Sequence, residues 1–577
     1  MRRWSRRGRL CLWLTCAGAW AACDDDERAD DEASTAADAG PEHDDHAHAG
    51  AGAGAGGASG GSGGHGGTAA HDDAHDPLHV TVADGPLEGT EAADGKARAF
   101  LGIPYAKPPV GELRWKPAER PETWSSPRAA TEFGGRCAQL ESTTLMNAAS
   151  ETEDCLYLNV WAPAKTSAAK LPVMFWIHGG GNVNGSASEP VPYVNSGIFY
   201  SGEHIAANQD VVVVTINYRL GLFGFFAHPD LKDEDGALAG NQGLDDQRVA
   251  LEWVKTNIAK FGGDPEQVTI FGESAGSLDV CLHVASPKSR GLFHRAISQS
   301  GGCTTYQTPA ADAATRAADF AAAVGCTGDD ALACLRGKSV ADLLAKTPAG
   351  SGAGFGPIVD GEFLPDQPRA LYDRGETADV PYILGSNTDE GTLFTLAAQI
   401  PDEAALKAAI TRQYPTVSVD DVLARYPLQQ FDSAEKPYQA AFARILGDAS
   451  LVCSTYDAAV RHAAAGRETY MYNFDIAASV AGLGATHGSE LVYVFGTGTS
   501  LTDPQRAISD QMQTYWANLG KTGDPNGGDL PTWPKFSADA NKRVNFALEI
   551  TEVDDFRAAE CELWRGVYEA RFSAEAK

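Results

Sequence analysis

Val268–Ser286, VTIFGESAGSLDVCLHVAS, is the stretch from which the rest of the chain is read. An apolar, partly β-branched run leads into a tight turn of small residues and then into a helical pattern. The segment is therefore expected to carry Ser274 from a strand end to a helix start. A serine hydroxyl is a poor nucleophile unless it is exposed, held still, and set beside a base and oxyanion donors. Gly272 and Gly276, two residues either side, permit the strained turn such a serine needs and leave room for strand and helix to close up. The G-x-S-x-G spacing alone decides nothing, because it recurs at Gly57–Gly61 and Gly60–Gly64 inside a Gly/Ser tract. Only Ser274 lies between a strand pattern and a helix pattern.

Upstream, LNVWAP (Leu158–Pro163), LPVMFWI (Leu171–Ile177) and VVVVTINYR (Val211–Arg219) carry too few charges for a half-exposed sheet and read as buried strands of a largely parallel one. Asp245–Lys260 fits an amphipathic helix stopped by Phe261-Gly262-Gly263-Asp264. Downstream, Asp379–Gly391 and Thr469–Ala477 contain further strands. Helices are expected over Thr315–Val324, Pro401–Ile410 and Pro504–Leu519. Strand, helix, strand, elbow and helix is the order of a right-handed α/β unit.

The strand Leu171–Ile177 ends in His178-Gly179-Gly180-Gly181, where backbone N–H groups can turn into a cavity unobstructed. With the N–H of Ala275, Gly180 and Gly181 form a candidate oxyanion hole. Among the histidines after Ser274, His487 stands in a flexible loop, Gly484-Ala485-Thr486-His487-Gly488, suited to placing an imidazole over a strand end. His283 and His294, close to the helix after the elbow, read as structural. For the acid that orients the base, physics alone leaves the adjacent Asp389 and Glu390 open.

The chain has 577 residues and a net charge of −31. Five arginines sit in the first nine residues, and residues 24–76 hold 14 acidic residues against one arginine, so the remainder is itself strongly acidic. Such a surface disfavours nucleic acid as a partner. Residues 1–22 have a basic start and an apolar stretch too short to span a bilayer, as in a signal peptide. Trp20-Ala21-Ala22-Cys23 reads as a lipoprotein box that would lipidate Cys23 and allow membrane anchoring; Ala19-Trp20-Ala21 offers an ordinary cleavage site, and Ser5-Arg6-Arg7 leaves the export route open. Residues 23–77, acidic and then rich in Gly, Ala and His, have little to bury and are expected to be a disordered linker. The histidines there follow no metal-ligand spacing.

From about Leu78 to Phe572 (78–572, a single domain with insertions) the chain resembles the type-B carboxylesterase/lipase family. The resemblance is carried by FLGIPYAKPPVGELRW, EDCLYLNVW, IHGGG, INYRLGLFGF, GNQGLDDQR, FGGDPEQVTIFGESAG, SNTDEG, THGSELVYVFG and YWANLGKTGDPNG. It implies an α/β-hydrolase fold and a serine esterase of small carboxylic esters, working through an acyl-enzyme with the triad Ser274, Glu390 and His487 and without metal or cofactor. It selects Glu390 over Asp389. It further implies Ser300 and Asp448 behind the triad and structural ion pairs Arg114–Glu153 and Arg219–Asp246. Similarity also pairs Cys137 with Cys155, Cys326 with Cys334 and Cys453 with Cys561, which leaves Cys281 and Cys303 to pair with each other. A protein of this kind is expected in the bacterial cell envelope or secreted. An interfacial lipase and a non-catalytic adhesion homologue are the alternatives, and the oligomeric state is not specified.

Two departures bear on substrate. Residues 138–154 contain no aromatic side chain, so a cation–π site for choline is not expected there. Asn182-Val183-Asn184 follows the glycine run where relatives usually have an apolar residue, which predicts a more polar acyl pocket.

Overall fold

Alternation along the apolar strands decides which of two cores each side chain enters. The computed structural model describes residues 76–575 except 143–146, 166, 168, 191–196, 233–235, 237 and 348–353. The expected signal peptide, Cys23 and the linker up to residue 75 lie outside the described residues.

Among the described residues the main sheet has 11 strands. In chain order they are β1 (Thr90–Ala92), β2 (Ala97–Pro104), β3 (Tyr157–Pro163), β4 (Leu171–Ile177), β5 (Val212–Ile216), β6 (Gly263–Glu273), β7 (Arg295–Gln299), β8 (Tyr382–Asn387), β9 (Thr469–Phe474), β10 (Lys542–Phe546) and β11 (Ile550–Asp554). Across the sheet they run β11-β10-β9-β8-β7-β6-β4-β5-β3-β2-β1. From β5 to β10 every pairing is parallel. Both margins turn antiparallel: β11 against β10, and the series β5, β3, β2, β1. The LNVWAP strand is thus antiparallel to both its neighbours, against the expectation of a parallel strand. Its composition reports burial on both faces, which β3 has, but carries no signal of direction.

In β4, Val173, Phe175 and Ile177 enter one core with Val212, Val214, Val268 and Ile270. That core is covered by α1 (Gln242–Asn257) through Leu251 and Val254, and by α2 (Ala275–Ala285) through Val280 and Leu282. Met174 and Trp176 enter the opposite core with Val213, Phe271 and Ile297. There α3 (Asp503–Thr522) contributes Met512, Tyr515, Trp516 and Leu519. Every one of these side chains is buried, each worth about 1.5–3 kcal/mol of transfer free energy. Their joint effect is a rigid central sheet whose C-terminal strand ends carry the loops described next.

Among the described residues four disulfides join Cys137 to Cys155, Cys281 to Cys303, Cys326 to Cys334 and Cys453 to Cys561. Arg114 grips Glu153 through two bonds of 2.7 and 2.5 Å, and Arg219 grips Asp246 through two of 2.8 and 2.6 Å, both pairs largely buried. Among the described residues no helix is long and apolar enough to cross a membrane.

Candidate active site

Ser274 sits between the end of β6 and the start of α2 with φ 59° and ψ −123°, a conformation costing about 1–3 kcal/mol for a residue with a side chain. Two close approaches enforce it. A Cβ on Gly272 would lie 2.5 Å from the carbonyl oxygen of Gly276, and one on Gly276 would lie 2.1 Å from that of Ile177. Glu273 and Ala275 on either side are buried, whereas Ser274 keeps partial exposure. Its backbone N–H donates to the carbonyl of Gln299 (2.9 Å), tying the turn to β7.

The glycine run after β4 wraps around this turn. A Cβ on Gly179 would meet the Glu273 carbonyl at 2.8 Å and the Ser274 Cβ at 3.1 Å, so only glycine lets the loop lie against the elbow. Gly180 and Gly181 have φ of 112° and 65°. The N–H groups of Val183 and Asn184 both donate to the Gly180 carbonyl, closing a tight loop. Ala275 opens α2, an 11-residue helix whose free N–H groups and dipole favour negative charge at that end. His178, buried and stacked on Tyr218 at 4.5 Å, is pushed down to about 4 by burial and stays neutral.

His487 is buried on the loop after β9. Its Nδ1 lies 2.7 Å from Glu390 Oε2, and the other oxygen of Glu390 accepts the Asn387 backbone N–H at 2.7 Å. In the neutral ring Nδ1 therefore carries the proton shared with the carboxylate, and Nε2 is then left to accept one. Nε2 stands 3.1 Å from Glu273 Oε1 without the alignment of a hydrogen bond, which sets the imidazole directly over the elbow. Phe394 packs against the ring at 4.9 Å. Burial works against the imidazolium, but Glu273, Glu390 and Glu490 outweigh it and raise His487 to about 9. Burial, reinforced by Glu490 and Glu390, raises Glu273 to about 8, with His487 opposing. Both groups hold protons more tightly than they would in water.

Asp389, the other acid left open by the sequence, points elsewhere. Its carboxylate accepts from the Ala485 backbone N–H (3.1 Å) and from Arg444 (3.0 Å), and so braces the loop that carries His487. Ser300 has φ 57°, donates its N–H to Gly385 and keeps its hydroxyl buried without a partner. Asp448 is buried on a single π-turn, accepts from Tyr426 (3.0 Å) and lies 3.5 Å from Arg557. His283 and His294 are held in local contacts, with Ser289 and Gln247 for the first and the Val268 N–H for the second.

Two features escaped the sequence. Glu490 lies buried, accepting from Gln299 (3.2 Å) and Asn387 (2.6 Å); its position three residues after His487 is its one signal in the sequence. The second is the part Asn182 plays: the sequence offers it to the acyl pocket, but the structure turns it inward. Its side chain is buried and turned inward, donating to Asp279 at 2.9 Å and accepting from the Tyr218 hydroxyl at 3.1 Å. The left-handed backbone of Asn182 (φ 59°) goes with an amide directed toward α2. Asn184 likewise bonds the Leu140 carbonyl (2.7 Å).

Residues 76–564 match the model of the carboxylesterase family. The chain is also 33% identical over 532 residues to a protein of Mus musculus named cholinesterase, covering 84% of this chain and 86% of that protein.

Proposed function

The chain belongs to the carboxylesterase family and is a carboxylic ester hydrolase, and on that premise we propose that Ser274, His487 and Glu390 are its catalytic triad. The observation that carries the reading is the 2.7 Å Glu390–His487 bond, whose imidazole stands 3.1 Å from Glu273, the residue before a partly exposed serine with positive φ. Neutral His487 takes the Ser274 proton through Nε2 as the hydroxyl oxygen attacks the ester carbonyl. Glu390 holds the tautomer and balances the imidazolium. The N–H groups of Gly180, Gly181 and Ala275 receive the oxyanion, the alcohol leaves, and water activated by His487 releases the acid. Ser300 and Asp448 support this machinery from behind, and neither metal nor cofactor enters the scheme.

Ser274→Ala should abolish ester hydrolysis in a folded protein, and a fluorophosphonate should label Ser274. An active alanine variant would sink the triad. The substrate is a small carboxylic ester. A choline cation is not favoured, since the Cys137–Cys155 loop offers no aromatic face. A water-soluble esterase loses activity on p-nitrophenyl esters beyond medium acyl length, whereas an interfacial lipase gains on emulsions. Four disulfides fit folding in an oxidising compartment. Lipidation at Cys23 with residues 1–22 removed would anchor the enzyme to a membrane; mass spectrometry finding an unmodified mature N-terminus would exclude the anchor.

A further inference from the structure

Asp279 lies on α2 four residues, about one turn, beyond Ala275. It is fully buried, and among the described residues no cationic side chain pairs with it. Both of its oxygens are instead taken by amides: Oδ1 by Asn182 Nδ2 at 2.9 Å and Oδ2 by Gln247 Nε2 at 2.7 Å. Gln247 belongs to α1, and its oxygen faces His283 Nε2 at 2.9 Å; His283 Nδ1 in turn meets the Ser289 hydroxyl at 2.7 Å. On the other side, the Tyr218 hydroxyl reaches both Asn182 Oδ1 (3.1 Å) and the His178 carbonyl (2.8 Å). The Asn182 carbonyl accepts the Gly221 N–H at 2.6 Å. Hydrogen bonds therefore enter Asp279 from two directions and end there.

A buried ionised carboxylate without a cation costs several kcal/mol, which an apolar side chain at position 279 would avoid. The residues it joins suggest what that cost secures. Asn182 directly follows Gly181 in a left-handed conformation, and α2 begins with Ala275. The oxyanion donors come from these two separate pieces of chain, and Asp279–Asn182 is a side-chain link between them. We propose that Asp279 is a positioning residue that fixes the glycine loop against α2 so that the N–H groups of Gly180 and Gly181 converge with that of Ala275. It touches no reacting atom and acts through Asn182. This inference rests on the triad and oxyanion roles given above.

The test compares Asp279→Asn and Asn182→Ala with the parent and with Ser274→Ala, at pH 8, on p-nitrophenyl butyrate. A trifluoromethyl ketone, whose serine adduct places an oxyanion in the same hole, supplies the second readout. Asp279→Asn is nearly isosteric but can no longer accept on both sides. It should lower kcat about 10- to 100-fold with KM within about twofold, and raise the ketone inhibition constant by the factor lost in kcat/KM. Asn182→Ala should match it, and the double variant should lose little more than either single one, as members of one link do. Unchanged kcat and ketone affinity in a folded Asp279→Asn protein, or a change confined to KM, would overturn the positioning role while an inactive Ser274→Ala leaves the triad standing. Activity in Ser274→Ala would instead overturn the triad itself. If Asn182→Ala fails to fold, Asp279→Asn alone decides.

Discussion

The carboxylates around His487 and the carboxylate of Asp279 are equally buried, yet their neighbours differ in kind. Glu273, Glu390 and Glu490 surround one titratable ring, so every proton that moves there changes the field on the others. Asp279 faces Asn182 and Gln247, amides that cannot titrate, so once ionised it hands its proton to no neighbour and bonds both amides at once. One protein interior thus uses the same functional group for two tasks. In the proposed mechanism the partner decides which: an imidazole makes the acid part of a proton transfer, whereas amides make it a clamp.

Experiments can press on that contrast in order of size. The largest effect should come from Glu390→Gln, which keeps the shape but loses the charge opposite Nδ1; kcat should fall about 10⁴-fold with little change in thermal stability. If the drop were only a few-fold, the glutamate cluster would be no more than a scaffold. Next is the pH dependence of stability. Burial raises Asp279 from 3.8 to about 7, so its contribution is fully present below about 3.8 and is lost as pH rises through about 7. The loss should approach about 4 kcal/mol, and Asp279→Asn should flatten that part of a denaturation-versus-pH curve. Gln247→Leu comes third: it strips one donor from Asp279 and leaves His283 without its acceptor, lowering stability by about 1–3 kcal/mol in urea melts. It should not move the activity profile along the pH axis, as a titrating partner would. The mildest is Glu273→Gln. It removes the carboxylate that raises His487 most, so the acid limb of kcat/KM should shift to lower pH, while the plateau changes little. An unmoved limb would mean that Glu273 does not sense the imidazole.

Much of this site was legible from residue order. The elbow announced itself because a strand pattern, two glycines and a helix pattern coincide at Ser274, and the glycine run could be placed by the apolar strand before it. Asp389 and Glu390 could not be told apart from sequence physics, since both are carboxylates at one strand end; only the fold shows that Asp389 faces Ala485 and Arg444. β7 was missed because Arg295, Ser298 and Gln299 look like surface residues. The last two are buried, with Ser298 bonded to Tyr382 and Gln299 to Glu490 and Trp516. Asp279 was silent for the same reason. A lone acid in a helix reads as solvated until the amides that enclose it arrive from β4's loop and from α1, over 30 residues away.

The bridge between Cys453 and Cys561 closes a segment of 108 residues that contains β9, His487, α3 and β10. Any single cut within that span leaves the two fragments covalently joined. A protease that nicks the exposed turn near Val480 would therefore yield a species that migrates as one chain until it is reduced, with its histidine still tethered to the rest of the enzyme. For an enzyme that meets proteases, that tether turns a backbone break from a loss of parts into a local wound.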